Sequence, residues 1–305
     1  MNYTDIVKSC LETGTWKENR TGVRCLTTTP KFFEHDMSEG FPLVTEKFTP
    51  IGLVASELEF FIGGLTDKQW LIDRSNHIWD EWASKKAVEQ KLREIDESPE
   101  GCGLEGDDLI KFAQKEAKDL GPLGYSWGWR RFGQEYLGKV SEKLPPVNAP
   151  FDQLNTVIKT LKENPNDRRM IISAWNPNQL KDMALPPCHF NIVFQHIEGR
   201  LSLNWSQRSV DSLLGLSINI ASYALLLKLV CKEVDMEPHM LTGNLIDCHI
   251  YENHMDGAKE MISRTAKPLP TLEITNFESI WDWTYKDIEL SNYEYHPKIK
   301  LEVAV

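Results

Sequence analysis

A thiol, several guanidinium groups and an amide are the residues of this 305-residue chain best suited to do chemistry. Cys188 sits in "ALPPCHFNIVF", after two prolines and before an apolar run. By type it is a buried filler, a metal ligand or a nucleophile. The six cysteines are scattered, with no CxxC pair and no tight His/Cys spacing, so free thiols are expected and no metal site. A nucleophilic thiol needs nearby positive charge. Arg208 in "SQRSVD" supplies it at what reads as a strand end, where it would lower the thiol pKa. His189 would point to the opposite side of a strand starting there, so adjacency alone does not make a Cys–His dyad. Arg168 and Arg169 in "DRR" and Arg20 in "ENRTG" carry forks that grip phosphate, which suggests an anionic substrate; singly, each is equally an ordinary surface charge. Asn219 lies in an apolar segment and must brace backbone or read a ligand. His249 and Tyr251 stand two apart, on one face of a strand. Residue by residue, Cys188 stays open between filler and nucleophile.

The elements that must position these groups are legible in outline. Residues 51–62 read as a mostly apolar helix carrying Glu57 and Glu59. The stretch 151–169 has helical spacing up to a Pro/Asn turn. "MIISAW", "FNIVFQHI" and "RLSLNWSQRS" read as strands, the first two separated by the LPPCH turn. "SINIASYALLLKLVCKEV" is apolar almost all round and predicts a buried helix. Strands and helices mix without a βαβ rhythm, so the expected class is α+β with a large mixed β-sheet packed with helices. Residues 84–118 differ in kind: charged, poor in large apolar groups and broken by a Pro/Gly centre, they read as a solvated insertion holding two short surface helices. No internal repeat is visible, and the expected organisation is one domain over 1–305 with that insertion.

Composition narrows the partners. With 41% hydrophobic and 26% charged residues the chain is of globular type. A net charge of −11 argues against a nucleic-acid partner, while leaving room for arginines focused in a cleft to hold a small anion. No secretory signal and no membrane span are read, so a cytoplasmic location is expected (host cytoplasm for a viral chain).

In order, "NRTG", "FPLVT.K", "IWDEW", "DLGP", "DRR", "MALPPCH", "QRSVDSLLGLSINIASYALL", "DCHIYENHMD" and "HPKIKLEVAV" resemble the thymidylate synthase family from end to end; only 84–118 falls outside. The resemblance implies a symmetric homodimer. It also implies methylation of deoxyuridine monophosphate (dUMP) at C5, with 5,10-methylenetetrahydrofolate as co-substrate giving carbon and hydride, and no metal. Cys188 matches the nucleophile that attacks C6 of the pyrimidine. Arg20 and Arg208 match phosphate ligands of the thiol's own subunit. Arg168 and Arg169 match the pair reaching across the dimer to the partner's nucleotide. Ser209 matches another phosphate contact, and Asp211 the position meeting both nucleotide and folate. Asn219 matches the amide reading uracil O4 and N3, and His249 and Tyr251 the sugar contacts. Val210 and Ile250, inside the same motifs, are grouped with the nucleotide contacts, although Val210 stands at a variable position. Glu57 matches the carboxylate that organises proton transfer through water. Trp79 and Trp82 match an aromatic wall around the folate, and Ala304 the tail closing over it.

Departures cluster on the folate side. "LGYSWGWRRFG" is one residue longer than the family pattern, with glycine in place of glutamine, and Tyr125 is taken as the tyrosine that assists removal of the C5 proton. Phe48 and Pro50 stand where a basic residue and often a histidine occur, and Leu245 and Ile246 alter a Gly-Gly-Asp-x-His pattern. These leave a dUMP hydroxymethylase as the alternative, with water rather than hydride quenching the same intermediate. Trp79, Trp82 and the "EVAV" tail favour a dry site and hydride. Asn219, rather than the aspartate of the related deoxycytidylate hydroxymethylases, favours uracil. A catalytically dead nucleotide-binding paralogue has no chemical reason to keep Cys188, Arg208, Asn219 and Glu57. A cysteine hydrolase leaves the arginines and Asn219 without a role.

Overall fold

The computed structural model describes residues 1–98 and 102–301. They form two compact units: Met1–Ala55, Ile158–Ile171 and the chain from Cys188 onward make one, and Ser56–Val157 with Ile172–Pro187 the other. In the first unit, four strands of the larger sheet run in the order Lys31–Asp36, Glu237–Leu245, Arg200–Gln207, His189–Ile197. The outer pairings are antiparallel and the central one, Glu237–Leu245 with Arg200–Gln207, is parallel, so the sheet is mixed as expected. A smaller sheet orders Thr15–Lys17, Cys25–Thr28, Cys248–Tyr251 and Val210–Asp211.

The apolar segment after the QRS motif is the 20-residue helix Gly215–Val234. Its length and composition would let it cross a membrane, but most of it is buried in the protein, as its all-round apolar surface requires. Beneath it the Tyr223 ring stacks on fully buried Trp205 at 5.1 Å. Trp205 faces Gly243 in the parallel register, and a Cβ on Gly243 would come 2.6 Å from the indole. Only glycine lets the ring lie flat over the neighbouring strand.

The helix Ile51–Ile62, which enters the second unit at Ser56, ends next to a buried ion pair. Arg130 binds Asp152 at 3.0 Å and the carbonyl oxygens of Ile62 and Leu144 at 2.6 and 3.1 Å, so every face of the guanidinium is used. The charged stretch does hold two helices, Lys85–Asp96 and Gly106–Glu116. Ser84 caps the first, which buries no residue, whereas the second buries Ala113. The 151–169 stretch is helical over Gln153–Glu163, and "MIISAW" is strand only over Ile171–Ser173, shorter than its β-rich composition suggests.

Candidate active site

Cys188 is the residue just before the strand His189–Ile197, at its junction with Arg200–Gln207. The Arg208 backbone N–H donates to the Cys188 carbonyl at 2.8 Å, and one Arg208 Nη lies 4.0 Å from Sγ. The expected thiol–guanidinium pair is therefore formed by sheet register, but its net effect differs from expectation. Burial pushes the Cys188 thiol above its ordinary value, and Arg208, then Arg20, oppose that without prevailing. His189 is held from the long helix Gly215–Val234. Its Nδ1 pairs with the Tyr223 hydroxyl at 2.5 Å, and burial lowers its pKa to about 3, which keeps it neutral.

Arg20 is exposed on the turn between the first two strands of the smaller sheet, where Asn19 accepts from the Thr21 N–H at 2.9 Å and donates to the Val23 carbonyl at 2.7 Å. That sheet also sets Asp211 beside His249 in parallel register, with Tyr251 on the same face. The His249 and Tyr251 rings meet edge to face at 5.1 Å, and His249 Nδ1 lies 3.0 Å from the Asp247 carbonyl. Asp211 Oδ1 accepts from the Leu213 and Leu214 N–H groups at 3.1 and 3.0 Å, which tightens the turn into the long helix. Ser209 is half-buried beside Arg208. Val210 and Ile250 are fully buried, main chain included, so neither presents surface to a ligand.

Asn219 is half-buried rather than enclosed, because it sits in the second turn of its helix. Its Oδ1 accepts from Gln207 Nε2 at 3.1 Å; the same Nε2 reaches the Ser209 carbonyl at 3.0 Å, and Trp205 Nε1 donates to Gln207 Oε1 at 3.2 Å. Gln207 thus fixes which end of Asn219 accepts, a role no local pattern announced, although Gln207 stands in the "QRS" motif itself. Lys47 likewise carries no local signal of its role. It is buried, donates to Ser217 Oγ at 2.8 Å, and has a pKa lowered to about 8 by burial, with Asp211 opposing. Arg168 and Arg169 are exposed on the loop after Gln153–Glu163, and Arg169 holds Asp167 through Nε at 2.9 Å.

In the second unit, Glu57 is 7% exposed and accepts from Trp79 Nε1 at 2.8 Å. Burial raises its pKa to about 7, the Trp79 bond pulling the other way, so the carboxyl exchanges its proton near neutrality. Trp79 meets Trp82 at 5.9 Å and Tyr125 at 6.3 Å, both edge to face, while Trp82 keeps part of its surface exposed. Tyr125, in the lengthened loop, is buried against Phe61 at 5.2 Å. The glycine before it has a reason: a Cβ on Gly124 would lie 2.5 Å from the Ala174 carbonyl. Ala304 falls outside the described residues.

In the first unit a thiol under guanidinium charge and a fixed amide offer nucleophilic chemistry on a polar, anionic ring compound, and in the second a carboxyl titrating near neutrality offers proton transfer. A family model for thymidylate synthase matches residues 1–305. A thymidylate synthase of Staphylococcus haemolyticus (strain JCSC1435) is 38% identical, the alignment covering 99% of this chain and 98% of the relative. One of Listeria monocytogenes serotype 4b (strain CLIP80459) is 37% identical over 99% of both chains. The chain belongs to the thymidylate synthase family. It is accordingly a one-carbon-transferring enzyme, a methyltransferase.

Proposed function

We propose that the chain converts dUMP to thymidylate with 5,10-methylenetetrahydrofolate, with Cys188 as the nucleophile. The observation carrying this reading is the 4.0 Å approach of Arg208 to the Cys188 sulfur, with Asn219 pinned by Gln207 on the following helix. The thiol adds to C6 of uracil, C5 becomes carbanion-like, and the guanidinium charge favours the thiolate that burial alone disfavours. A bound phosphate would be held by Arg208, Arg20 and Ser209, and His249 and Tyr251 serve the sugar. Asn219 Oδ1 faces N3–H and its amide donates to O4.

The co-substrate supplies the carbon and the hydride. The half-exposed Trp82 ring beside Trp79 offers the flat apolar face that a fused heteroaromatic ring requires, which fits a folate. Glu57 organises the proton transfers through water, with Tyr125 assisting removal of the C5 proton. Asp211 meets both substrates. The product then carries a methyl group at C5, and Cys188 leaves C6 as the thiol. The related names are those of thymidylate synthases, so the hydroxymethylase alternative is not favoured.

The working unit is a homodimer in which Arg168 and Arg169 reach the partner's phosphate. Their exposure supports this. The whole chain serves as one catalytic domain carrying 84–118 as an insertion. The test is product analysis: dUMP and the folate should give a nucleotide heavier by one methylene with stoichiometric dihydrofolate. A hydroxymethyl nucleotide with tetrahydrofolate would sink the hydride step.

A further inference from the structure

Lys68 has no solvent exposure, yet among the described residues it makes no salt bridge. Its ammonium group instead donates to three carbonyl oxygens: Asp80 at 2.8 Å, Trp82 at 2.8 Å and Gln114 at 3.1 Å. Three N–H bonds meet three acceptors, so the group is filled only while it is charged. The acceptors come from two stretches far apart in sequence. Asp80 and Trp82 belong to the loop that carries Trp79 and Trp82, whereas Gln114 is in the last turn of Gly106–Glu116, the second helix of the charged stretch. A carbonyl in a helix's last turn lacks an intrahelical partner and sits at the negative end of the dipole, which favours a cation there. Gln114 repeats the link from its side, with Nε2 donating to the Glu81 carbonyl at 2.7 Å. The Lys68 N–H adds a bond to the Lys118 carbonyl at 2.8 Å.

An unpaired buried ammonium is costly where a methionine would pack without a desolvation penalty, so its presence calls for a geometric task. We propose that Lys68 is a positioning residue that fastens the Trp79–Trp82 loop to the end of the insertion helix, so that the insertion sets the folate wall. The inference rests on the reading of Trp79 and Trp82 as that wall. The same loop orients the Trp79 N–H toward Glu57.

Charged groups around Lys68 come from each side: Lys118, after the helix, disfavours its charge, while Asp80 and Glu81 from the loop and Glu116 from the helix favour it. Burial outweighs them and lowers its pKa to about 8. As pH rises past that value the amine keeps two N–H bonds, one carbonyl loses its donor, and the loop loosens.

The experiment measures KM for methylenetetrahydrofolate and dUMP binding from pH 7 to 9.5 in the wild-type enzyme and in the variants Lys68→Met, Lys68→Arg and Trp82→Ala. Loss of the charged hydrogen bonds should raise the folate KM of Lys68→Met about tenfold, with dUMP binding unchanged. Lys68→Arg, which stays charged, should restore most of it. Wild-type folate KM should climb above pH 8 and that of Lys68→Arg should stay flat. Should Lys68→Met fail to fold, the comparison of wild type with Lys68→Arg across pH still decides. Equal pH profiles for those two proteins would overturn the proposal, as would equal losses for both substrates in Lys68→Met. If Trp82→Ala raises the folate KM and Lys68→Met does not, this inference alone falls. If Trp82→Ala leaves it unchanged, the folate-wall reading falls and takes the inference with it.

Discussion

Replacing Glu57 by Gln separates what the carboxyl does for turnover from what it does to the fold. In the folded chain its pKa rises from 4.5 to about 7, because the side chain is buried and only the Trp79 N–H opposes. Between those values the folded state keeps a proton that the unfolded state has lost. Its contribution to stability is therefore fully present below pH 4.5 and lost as pH rises through about 7, and the loss amounts to about 3 kcal/mol. Gln keeps an oxygen to accept from Trp79 Nε1 and cannot ionise, so the variant escapes that loss. The extra amide N–H bonds it brings cost about 1–3 kcal/mol if they find no partner, equally at every pH. The pH dependence is thus the diagnostic quantity. Urea unfolding at pH 5, 7 and 8.5, followed by two spectroscopic probes, should show the variant gaining about 2–3 kcal/mol on the wild type across that range. Turnover at pH 7.5 should fall about 10²–10⁴-fold. Parallel stability curves would refute the claim that Glu57 is held protonated by burial.

Cys188→Ala should abolish turnover while calorimetry still detects dUMP binding; normal turnover would end the covalent mechanism. Asn219→Asp should shift nucleotide preference toward the cytosine nucleotide by about tenfold, read as a ratio of kcat/KM, and unchanged discrimination would remove its assigned role. Mixing inactive Cys188→Ala with inactive Arg168→Ala under subunit exchange should restore activity, because one hybrid site regains both a thiol and a partner arginine. No recovery in a verified heterodimer would contradict the crossing arrangement.

What could be read ahead of the fold was what local pattern controls. The all-apolar stretch 217–234 had to be a buried helix, and the proline turn before Cys188 had to open a strand. The long motifs carried the family. What could not be read was every pairing made by sheet register or by a distant loop. Tyr223 takes His189 from 34 residues away, and Gln207 reaches Asn219 across a turn. Lys68 collects carbonyls from positions 80, 82 and 114, which turns part of a stretch that reads as merely solvated into a support. The thiol's environment shows the same limit. An arginine nearby in sequence predicts a lowered pKa, but burial, which only the fold determines, is the larger effect.

The nucleophile itself can be tested by intact-protein and peptide mass spectrometry after incubation with methylenetetrahydrofolate and 5-fluoro-dUMP. Fluorine at C5 cannot leave as a cation, so the covalent adduct should be trapped. The account predicts one nucleotide and one folate added per chain, on the peptide containing Cys188, and none in Cys188→Ala. An adduct on any other cysteine, or none in an enzyme that makes thymidylate, would contradict it.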